Sequence, residues 1–421
     1  MPKPPTIAIP LDLPDVAVLR TEVTPQRQLI IGVERIVPTA ICHCCGRTIA
    51  PFYGYDRPIR LRHLPILGMV VFIEIRPKRV RCPCCDDHPT TTQQVDWDTP
   101  TSPFTTAYER HLLVMLINGT LTDVGQQEGV VLPDALLGVL DRWVETVITW
   151  ATVPAFTVLG IDDSALTKGH RDDVVVITAQ DSDGELHLLA LLPDRTKATV
   201  RAWLAHIPAP IRRQIRTVWT EMWEAYVTAA EEVLPHAAIV IDRFHVAQHD
   251  RDDVDTFRTQ ERKRLRKELP KSAVERLKRT LWPFRKRAAH LEPEEQDRLD
   301  QLLAQSPDLE AAYDLREELT KIFDTTRAKA AGIRRIRAWR QKVVASGLTC
   351  FAPFLKLLDT WLDRIANYFR HHQSSGFVEG LNNKLKVLKR RCYGIYNLTH
   401  LFQRITLDLE GYRRFRPAPT H

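Results

Sequence analysis

The chain has 421 residues, which is enough for two to four domains with sizeable hydrophobic cores. Its formal net charge of +7 and isoelectric point near 9.0 are modest, but residues 258–287 are crowded with Arg and Lys, which favours a polyanionic partner such as nucleic acid. No apolar run is long enough to span a membrane, and residues 1–5 lead into no signal-peptide core, so we expect a cytoplasmic protein.

Residues 1–100 carry the cysteine pattern of a zinc-binding domain. Six of the eight cysteines lie in two clusters, and the C-x-x-C spacing of zinc knuckles is provided by Cys42, Cys45, Cys82 and Cys85. Between the clusters, the apolar run 66–75 is typical of the strands of a zinc ribbon. In such a small domain zinc would supply much of the folding free energy. Other potential ligands are His43, Cys44, Cys84 and His88, and the competing interpretation is a set of reduced thiols without metal.

Residues 101–152 predict three helices separated by short turns. Helical patterns cover 108–117, 121–128 and 134–150, and Gly129 ends the short second helix. Val147 would face inward on the third. This succession is typical of a helix-turn-helix DNA-binding domain. A plain helical bundle fits the same pattern.

Residues 153–248 predict a mixed sheet with acids at the strand ends. Five β-rich runs cover 157–161, 173–178, 186–192, 215–220 and 238–241, with helices predicted at 197–207 and 223–233. A meander of three strands followed by alternating helices and strands is the order of an RNase H-like fold, in which the first and fourth strands are neighbours. Asp162 and Asp163 follow the first strand, Glu221 the fourth and Asp242 the fifth. Because ligands gather at the carboxyl ends of parallel strands, these acids are candidates for a metal site.

Residues 249–370 are predicted to be entirely helical, as an insertion into the sheet-containing core. Most charge-rich helices are solvated surfaces. One cluster of basic residues is dense enough to favour contact with phosphates: Arg262, Lys263, Arg264, Arg266 and Lys267.

Residues 371–421 are predicted to be the C-terminal helices of the RNase H-like core: a loop that leads into a basic helix, followed by a last amphipathic helix at 398–412 that would pack against the sheet-containing core. Glu379 lies in the first turn of the basic helix, where the helix dipole tolerates an anion. The apolar side of the basic helix would consist of Phe377, Leu381, Leu385 and Leu388. The phosphate-binding cations of the same helix would be Lys384, Lys386, Lys389, Arg390 and Arg391. The chain is thus predicted to be a multidomain α+β protein in which a carboxylate can hold a metal while nearby cations hold a phosphate backbone.

Four motifs in order carry a resemblance to a known family. They are the stretch from Leu159 to His170, Leu192-Pro193-Asp194-Arg195, the stretch from Asp242 to Val246, and the stretch from Gly376 to Lys384. Together they resemble the DDE transposases of bacterial insertion sequences of the ISL3 type, and the zinc and helix-turn-helix regions extend the resemblance to nearly the whole chain. It implies an RNase H-like core with a helical insertion, and Mg²⁺- or Mn²⁺-dependent cleavage and strand transfer at the terminal inverted repeats of a transposon.

The resemblance also implies roles for individual residues and a partner. Asp162 would bridge two metal ions, Glu379 would bind one of them, and Asp163 would support them. Two DNA ends must be processed together, so we expect a homodimer on double-stranded DNA, located at the bacterial nucleoid.

The second metal-binding acid is ambiguous at the level of sequence. The family pattern resembles Thr-Asp-Met-Trp after the fourth strand, whereas this chain has Glu221 in place of the Asp. The RNase H-like strand order places the end of the fourth strand beside Asp162 and so favours Glu221. The family motif that begins at Asp242 favours Asp242 instead. Asp242 and His245 could instead form a structural hydrogen-bonded pair. Since Glu is one methylene longer than Asp and a misplacement of about 1 Å can cost roughly a hundredfold in rate, an impaired site is a further alternative.

Two other functions fit parts of the pattern. The first is a catalytically impaired, sequence-specific DNA-binding regulator derived from a transposase, which the Glu221 departure would favour. The second is an RNase H-like nuclease that acts on RNA or junctions and cleaves without joining strands. Divalent metal binding at the carboxylates separates the regulator from the two enzymes.

Overall fold

The computed structural model describes residues 9–11, 13–131, 133–165, 173–276, 280–371, 376–391 and 397–416. Within helices and strands, the side chains of residues 133, 165, 276, 371, 376–379, 381 and 382 are outside this description. The chain divides into two compact units. The first comprises Met1–Val147 and Arg390–His421, and the second comprises Ile148–Lys389.

The first unit begins with nine strands: β1 (Val16–Val23), β2 (Gln28–Arg35), β3 (Ala40–Ile41), β4 (Thr48–Ile49), β5 (Phe52–Tyr55), β6 (Ile59–Ile66), β7 (Met69–Ile75), β8 (Lys78–Arg81) and β9 (Thr90–Thr92). A four-stranded sheet has the order β1-β2-β7-β6, with β2 and β7 parallel and the other pairs antiparallel. Strands β3 and β4 form a hairpin, and β5, β8 and β9 form a three-stranded antiparallel sheet in that order.

The apolar run 66–75 forms the end of β6, a tight turn and β7, as the sequence indicates. The turn residues Leu67 and Gly68 both have positive φ, +49° and +73°, which is the backbone of the two-residue hairpin turns that match strand twist. Along β7 every second side chain, including Val71 and Ile73, is buried against Ile31 and Val33 of β2. This period of two places one face of the sheet over its core.

Three helices follow in the first unit: α1 (Thr106–Leu116), α2 (Leu121–Glu128) and α3 (Pro133–Trp143). The hydroxyls of Thr105 and Thr120 accept backbone N–H groups three residues on and cap α1 and α2, and Gly129 ends α2 at φ +63°. The expectation that α3 continues to residue 150 and buries Val147 was wrong, because α3 ends at Trp143 and Val147 is exposed. The β-branched residues in 144–149 lower the helix propensity there.

A buried carboxylate joins α1 to α3. Glu109 in α1 is fully buried and accepts hydrogen bonds from the Ser102 hydroxyl at 2.6 Å, the Arg142 Nε at 2.9 Å and the Trp143 Nε1 at 2.6 Å. Since burial of an unpaired carboxylate is costly, these donors are required for Glu109 to remain inside.

The second unit contains a five-stranded sheet made of β10 (Phe156–Ala165), β11 (Asp173–Asp181), β12 (Leu186–Leu192), β13 (Thr217–Thr220) and β14 (Ala238–Ile241). The strand order is β12-β11-β10-β13-β14; β11 is antiparallel to both of its neighbours, and β10, β13 and β14 are parallel. The predicted adjacency of the first and fourth strands is thereby confirmed. Strand β10 extends beyond its predicted end at Ile161, because Asp162–Ala165 continue to pair with β11. The connecting helices are α4 (Lys197–His206), α5 (Ala209–Arg212) and α6 (Glu224–Val233).

Helices fill the rest of the second unit. They are α7 (Arg243–Glu268), α8 (Lys271–Arg276), α9 (Leu281–Arg285), α10 (Pro293–Leu303), α11 (Pro307–Thr325), α12 (Lys329–Ser346), α13 (Ala352–Ile365), α14 (Tyr368–His371) and α15 (Gly376–Arg391), with short 3-10 turns at Ala288–His290 and Thr349–Phe351. Helix α7 begins at the Asp242 N-cap and continues through the basic cluster at 262–267. Large buried side chains such as Phe284, Trp339 and Phe354 belong to the same hydrophobic core as the sheet. Among the described residues, no helix is long and apolar enough to cross a membrane.

The last helix, α16 (Leu398–Phe415), packs in the first unit against α1 and the turns beside it. The buried Arg404 donates to the backbone carbonyls of Leu116 and Gly119, and Gln403 donates to Asp141 at 2.8 Å. A Cβ on Gly411 would lie 2.8 Å from the Ile117 side chain, so the helices approach closely there. The sequence predicted that this helix would pack on the sheet-containing core, whereas these contacts are all with residues of the first unit.

Candidate functional site

The parallel pair β10 and β13 places two acids side by side. Ile161 is the register partner of Thr220, so Asp162 and Glu221 follow at the same level of the sheet. Ligand atoms of Asp162, Glu221 and His245, the last in the first turn of α7, all lie within 4.8 Å of one another. We call these three residues the acidic site. It lies beyond the carboxyl end of β13, where ligands of parallel sheets gather.

Asp162 is held in position by its neighbours. Its side chain is buried, and its Oδ1 accepts the backbone N–H of Asp163 at 2.8 Å. The His245 Nε2 lies 3.8 Å from the same oxygen, close enough for attraction but beyond hydrogen-bond distance. The imidazole therefore faces the carboxylate without a direct hydrogen bond to this oxygen.

Negative charge is concentrated around Glu221. Burial, and then the charges of Asp163 and Asp162, raise the pKa of the Glu221 carboxyl from its ordinary 4.5 to about 9, and Arg195 opposes this only in part. Carboxylates this close repel one another unless a cation lies between them. The electrostatics of the acidic site therefore suit a bound cation.

Arg195 provides positive charge on the edge of the acidic site. Its Nη1 donates to Asp163 at 3.3 Å and lies 3.6 Å from Asp173. The guanidinium rests 4.3 Å from the ring of Trp223, whose Nε1 donates to the Arg195 carbonyl at 3.3 Å. Arg195 thus fixes the orientation of Asp163 beside Glu221.

Asp242 has a different position from Glu221. It is buried at the end of β14, and its Oδ1 accepts the backbone N–H of Phe244 at 2.7 Å, which caps α7. In the described part of the chain, the three-residue acidic site contains Glu221 and His245 but not Asp242. A cap at this point orients the first turn of α7 and with it His245.

Glu379 lies in the first turn of α15, and its side chain is outside the described residues. The same holds for the predicted apolar contacts of Phe377 and Leu381, whereas Leu385 and Leu388 are buried as predicted. Farther along α15, the Lys389 Nζ donates to the Ser164 hydroxyl at 2.9 Å. Because Ser164 is two residues after Asp162 in β10, this bond fixes α15 to the strand that carries Asp162.

The four C-x-x-C thiols converge in the first unit. The Sγ atoms of Cys42, Cys45, Cys82 and Cys85 all lie within 4.8 Å of one another. Three of the separations are 3.6 Å for Cys82–Cys85, 3.7 Å for Cys45–Cys82 and 4.0 Å for Cys42–Cys85. A tetrahedron of sulfurs around zinc has edges of about 3.8 Å when the zinc–sulfur bonds are about 2.3 Å. The thiols therefore already have the spacing of a tetrahedral site.

Local contacts affect two of the four thiols in opposite ways: backbone N–H groups favour the thiolate of Cys42, whereas the hydrogen bond with Cys82 raises the pKa of the Cys85 thiol. The N–H groups of Cys45 and Cys44 lower the pKa of the Cys42 thiol to about 6. The knuckle turn closes through Gly46, whose φ is +69° and whose N–H donates to the Cys42 carbonyl at 2.9 Å. Cys84 is exposed, as is Cys44.

The two histidines beside the knuckles have other contacts. The His43 Nδ1 lies 3.0 Å from the Thr91 hydroxyl, and the His88 Nδ1 lies 3.0 Å from the Cys82 carbonyl. Among the described residues, the four-thiol group excludes His43, Cys44, Cys84 and His88.

The predicted phosphate-binding cations of α7 divide into two sets. Arg264 pairs with Glu261 at 2.8 Å and Glu268 at 2.5 Å, and Arg262 is half-buried. The exposed cations, which have no ion pair with another described residue, are Lys263, Arg266 and Lys267.

The cations of α15 divide in the same way. Lys389 is bonded to Ser164, Arg391 pairs with Asp408 at 2.6 Å, and Lys384 is half-buried. Lys386 and Arg390 are exposed. The exposed members of both helices are therefore the ones available to a polyanion.

Sequence reasoning treated His245 only as a structural partner of Asp242 and did not place it in the acidic site. The spacing of three residues between Asp242 and His245 could have indicated this position. When Asp242 is the N-cap, the residue three positions later lies in the first turn of α7, on the same side as the cap. This geometry becomes visible only when the helix is known to begin at residue 243.

Comparison with known proteins agrees with this arrangement. Residues 159–405 match the family model DDE_Tnp_ISL3, which is described as Transposase. The transposase for insertion sequence element IS1001 of Bordetella parapertussis is 31% identical over 257 residues, which cover 61% of this chain and 62% of that protein. The transposase for insertion sequence element IS1557 of Mycobacterium tuberculosis is 24% identical over 410 residues, which cover 92% of this chain and 90% of that protein. The family match includes Asp162, Glu221, His245 and α15, and the chain belongs to the ISL3-type DDE transposases.

Proposed function

We propose that this protein is an active insertion-sequence transposase that binds the terminal inverted repeats of its element and catalyses metal-dependent DNA cleavage and strand transfer. The observation that carries this proposal is the convergence of Asp162 and Glu221, with His245, at adjoining strands in a chain of the transposase family. A DNA-binding regulator without catalysis would have no need for such a costly cluster of acids.

The sheet supports an RNase H-like assignment for the catalytic core. Its order, with the third, second and first strands followed by the fourth and fifth and with only the second strand antiparallel, is the order expected for that fold. The family match extends across the helices between β14 and α15, which supports an all-helical insertion at 249–370.

The residues of the acidic site fit a divalent cation such as Mg²⁺ or Mn²⁺. Carboxylate oxygens are the ligands that both ions prefer, and the mutual repulsion of Asp162, Asp163 and Glu221 would be relieved by the ion. Asp162 and Glu221 would hold it, together with Glu379. When bound, such ions make water or a 3′-hydroxyl a better nucleophile and stabilise the leaving oxygen.

The protein side chains supply positioning and charge. The amide of Asp163 orients the Asp162 carboxylate, and Arg195 orients the Asp163 carboxylate. Imidazole is a poorer ligand for Mg²⁺ than a carboxylate is, so we assign His245 to hydrogen bonding with a phosphate oxygen rather than to the metal. Asp242 acts through His245 by capping the helix that carries it.

The first unit would supply recognition. A zinc ion bound by Cys42, Cys45, Cys82 and Cys85 would stabilise the ribbon, as the tetrahedral spacing of the thiols supports. The turn between α2 and α3 supports a helix-turn-helix role for 101–152, and the exposed cations of α7 and α15 would contact phosphates. Since two transposon ends react together, the working form would be a homodimer on DNA at the bacterial nucleoid.

Cleavage of a labelled duplex that carries the terminal repeat flanking the gene, in Mg²⁺ or Mn²⁺, tests the proposal. Wild type is compared with four variants: Asp162→Ala, Glu221→Ala, Asp242→Ala and Glu379→Ala. We expect Asp162→Ala, Glu221→Ala and Glu379→Ala to bind the duplex and fail to cleave it, and Asp242→Ala to retain partial activity.

Three results would contradict parts of the proposal. Specific binding by wild type without any cleavage would favour the regulator. Cleavage without strand joining would favour a nuclease. An inactive Asp242→Ala with wild-type melting temperature, beside an active Glu221→Ala, would make Asp242 the second metal-binding acid.

A further inference from the structure

The three-stranded sheet β5-β8-β9 presents an aromatic surface outside the sites described above. Tyr53 and Tyr55 in β5 are 56% and 48% exposed, and Phe52 beside them is 59% exposed. Strand β5 therefore has three large aromatic side chains in contact with solvent, where they gain little from burial. Grouped aromatic exposure of this kind marks an interaction surface more often than isolated exposure does.

Three arginines lie over the tyrosine rings. The Arg76 Cζ is 5.4 Å from the ring centroid of Tyr55, and the Arg79 and Arg81 Cζ atoms are 5.7 Å and 6.0 Å from that of Tyr53. At such distances the ring face attracts the cation. A guanidinium held on a ring has less freedom to lose when it binds an anion than an unsupported side chain has. We call these five residues the arginine–tyrosine surface.

The acids around this surface offset its positive charge only in part. Within the described ranges, Arg76, Arg79 and Arg81 have no ion pair, and the side-chain bond of Arg79 goes to the Thr90 hydroxyl at 2.5 Å.

The nearby acids are bonded in part to this surface and in part to other groups, and Glu34 accepts a hydrogen bond from the Tyr55 hydroxyl at 3.4 Å. Glu34 pairs with Lys78 at 3.0 Å, and Glu74 pairs with Arg20 at 2.5 Å. Asp56 accepts hydrogen bonds from the Thr92 hydroxyl at 2.6 Å and from the backbone N–H of Arg57 at 2.8 Å. Arg76 and Arg81 are exposed and Arg79 is half-buried, so the surface presents guanidinium groups to solvent beside the tyrosine rings.

We propose that the arginine–tyrosine surface binds the phosphodiester backbone of duplex DNA. Guanidinium groups match phosphate oxygens bidentately and stay charged at any physiological pH. Phosphate contacts provide affinity and orientation without reading sequence, so this surface holds the first unit on the duplex while base recognition occurs elsewhere. The inference rests on the proposed function in taking DNA as the polyanion.

The salt dependence of binding tests this surface in the full-length protein. The probe is a fluorescent duplex of mixed sequence, and the variants are Arg76→Gln, Arg79→Gln and Arg81→Gln, singly and together. Each lost phosphate contact lowers the slope of log K against log salt by about 0.9, so the triple variant should lose about 2.7. Replacement of both tyrosines by Leu should weaken binding several-fold and retain most of the slope.

Arg27→Gln is the matched control. Arg27 is exposed in the turn between β1 and β2, next to Gln28, which pairs with Val70 at the opposite end of β7 from Arg76. Its loss should leave the slope unchanged. Zinc content and melting temperature show that each variant is folded.

A triple variant that is folded and keeps the wild-type slope would overturn the inference, as would weakening confined to single-stranded DNA. The outcome is separable from that of the proposed function, because binding is measured without cleavage. If wild type fails to cleave, the proposed function fails and the slope still reports on the surface.

Discussion

Ile161 in β10 and Thr220 in β13 are register partners in neighbouring parallel strands, and the next residue in each chain segment is an acid. A shift of the register by one residue would turn the side chains of one strand to the opposite face and separate Asp162 from Glu221. The acidic site is therefore determined by strand pairing, and its two carboxylates should respond to mutation as a pair.

Shortening Glu221 should impair catalysis without affecting DNA binding. Glu221→Asp keeps the charge and withdraws the carboxylate by one methylene, and a misplacement of about 1 Å costs roughly a hundredfold in rate. We expect about a hundredfold slower cleavage at unchanged duplex affinity. Glu224→Asp, at the exposed start of α6, is the matched control and should cleave normally. Faster cleavage by Glu221→Asp would show that the site is built for the shorter acid.

The stability of the metal-free protein should fall as pH rises. The folded pKa of Glu221, about 9, lies above its ordinary value of 4.5, so between these values the folded state binds more protons than the unfolded state. The free energy of unfolding therefore decreases with pH across this window. The Glu221→Gln variant has no carboxyl to titrate at this position. At pH 8 its melting temperature should exceed that of wild type by roughly 2–4 °C for each kcal/mol of unfolding free energy that the amide restores. Mg²⁺ should reduce the difference; equal melting curves without metal would contradict the prediction.

Zinc binding should depend on the four cysteines of the C-x-x-C motifs. Cys42→Ser, Cys45→Ser, Cys82→Ser and Cys85→Ser should each lower bound zinc, measured by atomic emission, to a small fraction of the wild-type amount, because each removes one corner of the tetrahedral group. Cys44→Ser and Cys84→Ser are the matched controls, since both thiols are exposed and outside the group. Zinc loss in either control would show that the metal uses different sulfurs.

Removal of the buried Glu109 carboxylate should unfold the three-helix segment. Glu109→Ala leaves Arg142, the Trp143 indole and the Ser102 hydroxyl without their common acceptor, and loss of one partner from a buried pair costs about 3–5 kcal/mol. We expect a lower melting temperature and loss of terminal-repeat binding. Glu145→Ala, at an exposed position just after α3, should change neither.

Arg195 should influence the reaction through Asp163. Arg195→Gln removes the cation that bonds Asp163 and faces Asp173, so cleavage should slow about tenfold or more while duplex binding is retained. Arg201→Gln in α4 also removes an arginine paired with an acid, Glu232, and should cleave normally. Equal rates in the two variants would mean that Arg195 has no positioning role.

Local sequence pattern predicted the strands of the second unit well, because buried parallel strands are continuous apolar runs and acids directly after them are conspicuous. It left the second metal-binding acid open between Glu221 and Asp242, since both follow such a strand; the expected pairing of the first and fourth strands favoured Glu221, and the motif that begins at Asp242 favoured Asp242. The position of His245 in the acidic site could be recognised only once α7 was known to begin at residue 243. The partners of α16, such as Asn118 with Asp408 at 3.1 Å, are about 290 residues apart and leave no local signal.

The packing of α16 also affects what a shortened protein could do. The core of the three-helix segment includes Leu407, and the Arg404 side chain satisfies carbonyls at the end of α1. A product of premature termination near residue 150 would lack these contacts and expose apolar side chains of α1. Such a fragment would be degraded or aggregate instead of occupying the transposon ends, so an element of this type could not readily produce its own inhibitor by early termination.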